Sequence, residues 1–177
     1  MYKDNSLIPT EAVRLAALGT LHEAPRRYAD LAAEVRGFVG HIVGPSLDLI
    51  GPPMELLRVE GLIEAADGGG PEAELRITAR GIEELKRLLA ANLRGPIGEF
   101  NKLVIALKLR FLPVLDRDGQ KLQAELLAEI CERELSRLTS LRRQIGERRD
   151  TLTDWLEHDI AQVTARLDWF RRLGESL

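Results

Sequence analysis

Apolar residues recur along most of this chain at steps of three and four, the period of a helix that buries one face. In only one stretch does the spacing fall toward two. Val13, Ala16, Ala17 and Leu21 share a first helical face, flanked by Leu15 and Leu18. Thr10 is placed to cap that helix, and Ala24-Pro25 to end it. A second helix is predicted from about Arg26, carrying Tyr28, Leu31, Ala32 and Val35 and stopping near Gly37. Residues 37–50, rich in glycine and apolar side chains, read as a packed loop with room for a short helical turn.

The pattern changes between Gly51 and Gly81. Pro52 and Pro53 suit the first turn of a short helix, where an amide hydrogen would go unpaired anyway. Met54 and Leu57 follow at helical spacing, with Leu56 widening the stripe. Gly61 is placed to stop the helix in a left-handed conformation, so that Leu62 and Ile63 pack back beneath it. Leu62–Ala66 and Ala73–Thr78 read as strands joined by the turn signal Gly68-Gly69-Gly70-Pro71. A further helix is predicted from about Ala79 to Leu93, with Ile82, Leu85, Leu88 and Leu89 inward. Helix, tight stop, glycine-tipped hairpin and helix follow one another in the order of a winged helix-turn-helix.

Gly95-Pro96 marks the expected domain boundary, giving a winged domain over 1–94 and a helical region over 95–177. A helix over Ile97–Leu112 carries Phe100, Leu103, Val104, Leu107 and Phe111 on one side, and Pro113 with the polar run 116–119 breaks it. From Gln120 to about Gly146, Leu127, Cys131, Leu138, Leu141 and Ile145 approach a heptad seam interrupted at Glu134. Leu122, Leu126, Ile130 and Leu135 form an adjoining apolar row. The last helix, Asp150–Leu173, spaces Leu156, Ile160, Val163, Leu167 and Phe170 at 4, 3, 4, 3. Two long helices with faces this wide predict a homodimer, the ten seam residues facing a second copy. A three-helix bundle within one chain is the alternative. The fold class expected is therefore mainly α: a winged helix-turn-helix with a small β-hairpin wing, then a helical dimerisation region.

Composition narrows the function. The 177 residues are 45% hydrophobic and 30% charged, the make-up of a folding chain rather than a disordered one. No apolar run reaches the roughly 18 residues of a membrane span, and no basic-then-apolar leader opens the sequence, so a cytoplasmic location is expected. Cys131 is the single cysteine, which excludes an internal disulfide and reads as a small core residue. His22, His41 and His158 show no metal-ligand spacing. Ser46, His41 and Asp48 lack a nucleophile elbow, and the glycine triplet sits in a hairpin rather than between strand and helix, so it is no phosphate loop. No metal, cofactor or enzymatic activity is expected.

The net charge of −3 is unevenly spread. Residues 1–92 hold 10 Lys/Arg against 14 Asp/Glu, and 93–177 hold 15 against 14. DNA-binding modules usually bring cations to phosphate, so the acidic winged half limits the candidates. Arg26, Arg27, Arg36, Arg76 and Arg80 are candidate phosphate contacts, or a solvated, salt-paired surface. Arg58 is the one cation of the short helix, beside Glu55 and Glu60. Ser46 is a candidate for base edges, and Tyr28 is either a core aromatic or a backbone contact. Trp155 and Trp169, about four turns apart on a similar face, are candidates for an apolar effector pocket or for plain packing.

These motifs together resemble the PadR-like transcriptional regulators over nearly the whole chain. Glu11, Leu21, Pro25 and Tyr28 match that family's first helix and its exit, with Arg27 in place of a glycine. Pro52, Met54, Leu57, Glu60, Gly61, Leu62 and Ile63 match its Pro-x-x-Leu helix closing on Glu-Gly-Leu-Ile. Leu75, Ile77, Thr78 and Gly81 match the pattern after the wing, and Leu156–Leu173 looks like the closing amphipathic helix. Leu49-Ile50-Gly51-Pro52 replaces the family's Ser/Thr-Leu-Tyr-Pro, and Glu72 and Glu74 stand on a wing that is usually basic. The resemblance implies a DNA-binding regulator, a repressor in the family's usual role, dimeric through its C-terminal helices and often responsive to a small hydrophobic molecule. The alternative is a winged-helix protein–protein interaction module that no longer binds DNA.

Overall fold

The computed structural model describes residues 6–44, 51–66, 70, 72–93, 97–146 and 150–177, with 51–54 described by backbone alone. Among the described residues, seven helices and three short strands run α1 (Pro9–Glu23), β1 (Arg26–Arg27), α2 (Tyr28–Val43), α3 (Gly51–Val59), β2 (Ile63–Ala65), β3 (Glu74–Ile77), α4 (Ala79–Ala90), α5 (Glu99–Arg110), α6 (Arg117–Ile145) and α7 (Thr151–Ser176). A 3-10 turn, Leu112–Val114, follows α5. The strands form one antiparallel sheet in the order β1-β3-β2, with Ile63 opposite Ile77 and Arg26 opposite Leu75. No helix among the described residues is long and apolar enough to cross a membrane.

The chain divides into two compact units, Met1–Asn92 with Gly98–Val114, and Leu93–Ile97 with Leu115–Leu177. Helix α5 lies beyond the Gly95-Pro96 break yet belongs to the first unit. Its Leu103, Val104 and Leu107, with Phe111 after it, are buried, and α5 packs on α1 and α2.

Helix α1 is the centre of the first unit. Ala12, Val13, Leu15 to Leu18 and Leu21 are all buried, because α2, α3, α4, α5 and β3 each take part of its circumference. It starts two residues earlier than a Thr10 cap would allow: Ile8 is the N-cap, and its amide donates to the Glu11 carboxylate at 3.1 Å. Gly19 is required where α1 meets Phe111, since a Cβ there would stand 2.4 Å from the ring.

Helix α2 runs through Gly37 and Gly40 to Val43 instead of stopping at Gly37. Glycine costs a helix interior about 1 kcal/mol each. Leu31, Val35 and Val39, buried at four-residue steps, continue the core-facing stripe across both glycines, and tertiary packing outweighs the local preference. The stretch expected as a loop is thus helical as far as Val43, and its residues 45–50 lie outside the described set.

Two caps set the helix starts of the second unit, the first earlier than the expected Gln120 and the second at the expected Asp150. Asp116 accepts from the Gly119 amide at 2.8 Å, so the polar run 116–119 begins α6 rather than delaying it. Asp150 accepts from the Thr153 amide at 2.9 Å and begins α7. The two helices pack against each other as a long hairpin.

Lys108 is the first unit's unusual core residue, 1% exposed. Its ammonium donates to the Leu89 carbonyl and, at 2.6 Å, to the Ala91 carbonyl, groups that the end of α4 leaves without helical partners. Burial pushes its pKa down from 10.5 to about 8, while the carbonyl acceptors hold it charged near neutrality. Between pH 8 and 10.5 the unfolded chain binds more protons at this site than the folded one, so stability rises with pH there. Relative to Lys108→Met, the wild type should gain on the order of 3 kcal/mol across that window, read by denaturant melts at several pH values; a pH-independent difference would refute the assignment.

Gly81 admits no side chain, because a Cβ would lie 2.1 Å from the Leu62 carbonyl oxygen and 2.6 Å from Ile77. Gly81→Ala should therefore destabilise the protein by about 3 kcal/mol, chiefly by backbone displacement. An unchanged urea midpoint would show that the α4 start yields more easily than its contacts suggest.

Candidate nucleic-acid interface

The winged face is built from α2, α3 and the β2–β3 hairpin. Helix α3 exposes Glu55, Leu56, Arg58 and Val59 and buries Leu57. Its end is a Schellman turn. The Leu62 amide donates to the Leu57 carbonyl at 2.9 Å and the Gly61 amide to Arg58 at 3.1 Å, with Gly61 at φ 70°. Leu62 and Ile63 are buried beneath it, as the Gly61 stop implies.

Thr78 ties this turn to the next helix. Its hydroxyl donates to Gly61 O at 2.8 Å and accepts from the Gly81 amide at 3.1 Å, while its own amide donates to Leu62 O at 3.0 Å. The C-terminus of α3 and the N-terminus of α4 thus share one small knot. Glu60 adds a charged tether, accepting both terminal nitrogens of Arg14 on α1, one at 3.1 Å. Arg14 also approaches Glu84 at 3.5 Å, and Arg87 links Glu84 to Glu11. The hydrogen bond from Arg87 holds the Glu84 carboxyl below the usual carboxylate range.

The candidate phosphate contacts separate into three groups. Arg26 pairs with Glu34 at 3.1 Å, and Glu34 also accepts from Arg110, whose guanidinium lies 5.2 Å from the Phe38 ring and 4.9 Å from Phe111. Arg26 is therefore part of a structural cluster. Arg27 pairs with Glu72 at 3.2 Å and Arg76 with Glu64 at 2.8 Å, both on the exposed sheet surface. Exposed pairs of this kind contribute about 0–1 kcal/mol, so a polyanion can compete for these arginines. Arg36, Arg58 and Arg80 are exposed and, among the described residues, form no ion pair. The Arg80 guanidinium reaches toward the Gly61 turn, 3.5 Å from where a Cβ would stand. Tyr28 is 38% exposed at the start of α2, so it is not a core aromatic. Ser46 and Asp48 lie outside the described residues, as do Gly68, Gly69 and Pro71 of the wing tip.

In the second unit, the residues read as an intersubunit seam meet within one chain. Leu127, Cys131, Leu138, Leu156, Val163, Leu167 and Phe170 are buried in the α6–α7 hairpin, while Ile145 and Ile160 are half-buried and Leu141 is exposed. A second copy would have to meet what this hairpin leaves uncovered. Burial raises the Cys131 thiol above its ordinary pKa. Trp155 and Trp169 are 55% and 46% exposed, Trp169 meeting Phe170 edge-on at 5.2 Å. A separate open groove of about 390 Å³ lies between the first turns of α6 and the last turns of α7. Ala124, Ala128, Phe170 and Gly174 line it, with Lys121 and Arg171 among its charged residues. The described residues contain no cluster of three His, Cys, Asp or Glu suited to a metal.

Sequence periodicity missed Arg14, Glu60 and Glu84 as a group, since their pairing crosses three elements far apart in the chain. Lys108 carried a signal: a lysine set among Val104, Leu107 and Phe111 on one helical face.

Three solved structures are similar along most of their length, at low identity. Bacillus subtilis PadR in complex with p-coumaric acid is 17% identical over 96% of this chain and 97% of its own, with a TM-score of 0.41. The smu.1604c protein of Streptococcus mutans UA159 is 18% identical over 94% and 98%, at 0.40. Bacillus subtilis PadR in complex with operator DNA is 18% identical over 96% and 100%, at 0.39. No curated protein matches the sequence significantly. Family membership comes from the model of the family described as "Putative AphA-like transcriptional regulator", which matches residues 2–174. A chain matched almost end to end, carrying a winged helix-turn-helix unit and a helical hairpin in that order, belongs to the AphA-like transcriptional regulators and is PadR-like, as its motifs imply.

Proposed function

We propose that the protein is a homodimeric repressor that binds operator DNA through the winged unit and assembles through the α6–α7 unit. The family match carries this reading. Arg36, Arg58 and Arg80, exposed and without an ion pair among the described residues, support it by lying on or beside the helix-turn-helix and its exit. Binding near a promoter in the cytoplasm would repress by excluding polymerase. Affinity would come mainly from phosphate contacts, since α3 offers base edges only Glu55, Arg58 and the apolar Leu56 and Val59 among its described side chains. An effector, in this reading a small amphipathic molecule, fits the groove of Ala124, Ala128, Phe170 and Gly174 better than the exposed tryptophans. No catalytic step is part of the proposal.

The test is binding of the full-length protein to its own promoter DNA across a salt series. Three arginines in each of two copies predict a log–log salt slope near about −5, and a roughly thousandfold loss of affinity between about 50 and 200 mM salt. Arg36→Ala, Arg58→Ala or Arg80→Ala should each make that slope shallower by about two. If no promoter binding appears even at about 50 mM salt, a protein–protein interaction module becomes the better account.

A further inference from the structure

Helix α3 is 9 residues long, too short to hold its own attitude without outside contacts. Among its described side chains only Leu57 is buried, and one buried side chain fixes a point without fixing a tilt. The bonds of Thr78 to the Gly61 turn add a second point at the same end. Rotation about that end remains free. About 10° of it would swing the far end of a roughly 13 Å helix by about 2 Å.

Glu60 supplies the missing constraint. Its amide donates to the Leu56 carbonyl at 2.9 Å, so its carboxylate rides on the last turn of α3. Both carboxylate oxygens accept from the terminal nitrogens of Arg14, 46 residues away on α1, one of them at 3.1 Å. Paired bonds from a planar guanidinium set a direction as well as a distance, which the ammonium of a lysine does not. Helix α1 is buried on nearly every side, so it cannot follow a tilt of α3. Glu60 also stands at the negative pole of the α3 dipole, where a carboxylate is disfavoured unless a cation meets it.

The fold does not hang on this pair. Arg14 lies 3.5 Å from Glu84 as well, and Glu84 is bound to Arg87 at 2.7 Å. Without Glu60, Arg14 keeps a carboxylate partner; without Arg14, the 39% exposed Glu60 is left to water. Neither loss strands a charge in the core, so α3 loosens while the unit stays folded. Two kinds of DNA contact respond differently to such loosening. Base-edge hydrogen bonds fail once donor and acceptor part by more than about 0.5 Å. Phosphate attraction falls slowly with distance and carries no sequence information.

We propose that Arg14 is a positioning residue for DNA recognition: acting through Glu60, it fixes the tilt of α3 and thereby the preference for operator over other DNA. This rests on the DNA-binding reading above and adds the pair on which its selectivity depends.

Binding of the full-length protein to its own promoter and to a scrambled duplex of equal length and composition tests it. Arg14→Lys and Glu60→Gln should each lower promoter affinity about tenfold, the scale of one mismatched base pair. Affinity for the scrambled duplex should stay within about twofold, with the salt slope unchanged. The double variant should lose no more than the worse single one, because both changes remove the same pair. Urea midpoints of all three should stay close to wild type. Arg36→Ala gives the contrasting signature, lowering both affinities together with a shallower slope. A wild type that binds promoter no better than the scrambled duplex overturns the operator reading and this role together. Promoter preference that survives both single changes, or affinities for the two duplexes that fall in parallel, overturns the role of the pair and leaves DNA binding standing. A loss that tracks the urea midpoint, or losses that add in the double variant, overturns it equally.

Discussion

The winged unit depends on the enclosure of α1. A helix buried on nearly every side has no spare face with which to slide or tilt, so the elements around it inherit its position. Interior packing at crystal-like density makes such contacts intolerant of even one added methyl group, and Gly19 against Phe111 is the local expression of that constraint. Helix α5, remote in sequence from the first helices, is drawn into the same unit by this demand for cover. Lys108 then serves the arrangement chemically, supplying donors to the end of α4 from within the apolar face of α5.

Around that core, charge is used for fastening. Arg14, Glu60, Glu84, Arg87 and Glu11 form a chain of ion pairs joining α1, the exit of α3 and α4. Arg110 does comparable work between α1 and α2 through Glu23 and Glu34, with aromatic rings near its guanidinium. Two carboxylates hold the Arg110 guanidinium above its ordinary pKa. Much of the acidity in the first half of the sequence is thus committed to internal pairing, so formal charge is a poor guide to the potential a ligand would meet.

Local chemistry was legible in the sequence; long-range partnership was not. Pro-Pro entry, the Gly61 stop and the Thr78 start are decided by residues within a few positions of one another, and each stands where its chemistry requires. The extent of α2 was hidden because Gly37 and Gly40 argue locally for a break, while the burial of Val39 that overrides them is tertiary. The heptad of α6 and α7 announced an apolar seam without saying whether its partner lay in the same chain. For Leu127, Leu138 and Val163 the partner is the other arm of the hairpin. Among the interface candidates, Arg26 and Arg36 look alike as sequence, and only the position of Glu34 separates a clamped arginine from an available one.

The pairing of Arg27 with Glu72 and Arg76 with Glu64 bears on how such a surface would search a chromosome. Interleaved carboxylates weaken attraction to every stretch of phosphate backbone alike, because that attraction carries no sequence information. Most competing sites on a genome are held by that term alone, and occupancy follows the ratio of specific to non-specific binding rather than either by itself. A wing that nearly neutralises its own arginines lowers the background, leaving fewer copies stranded on irrelevant DNA and making each specific contact count for more.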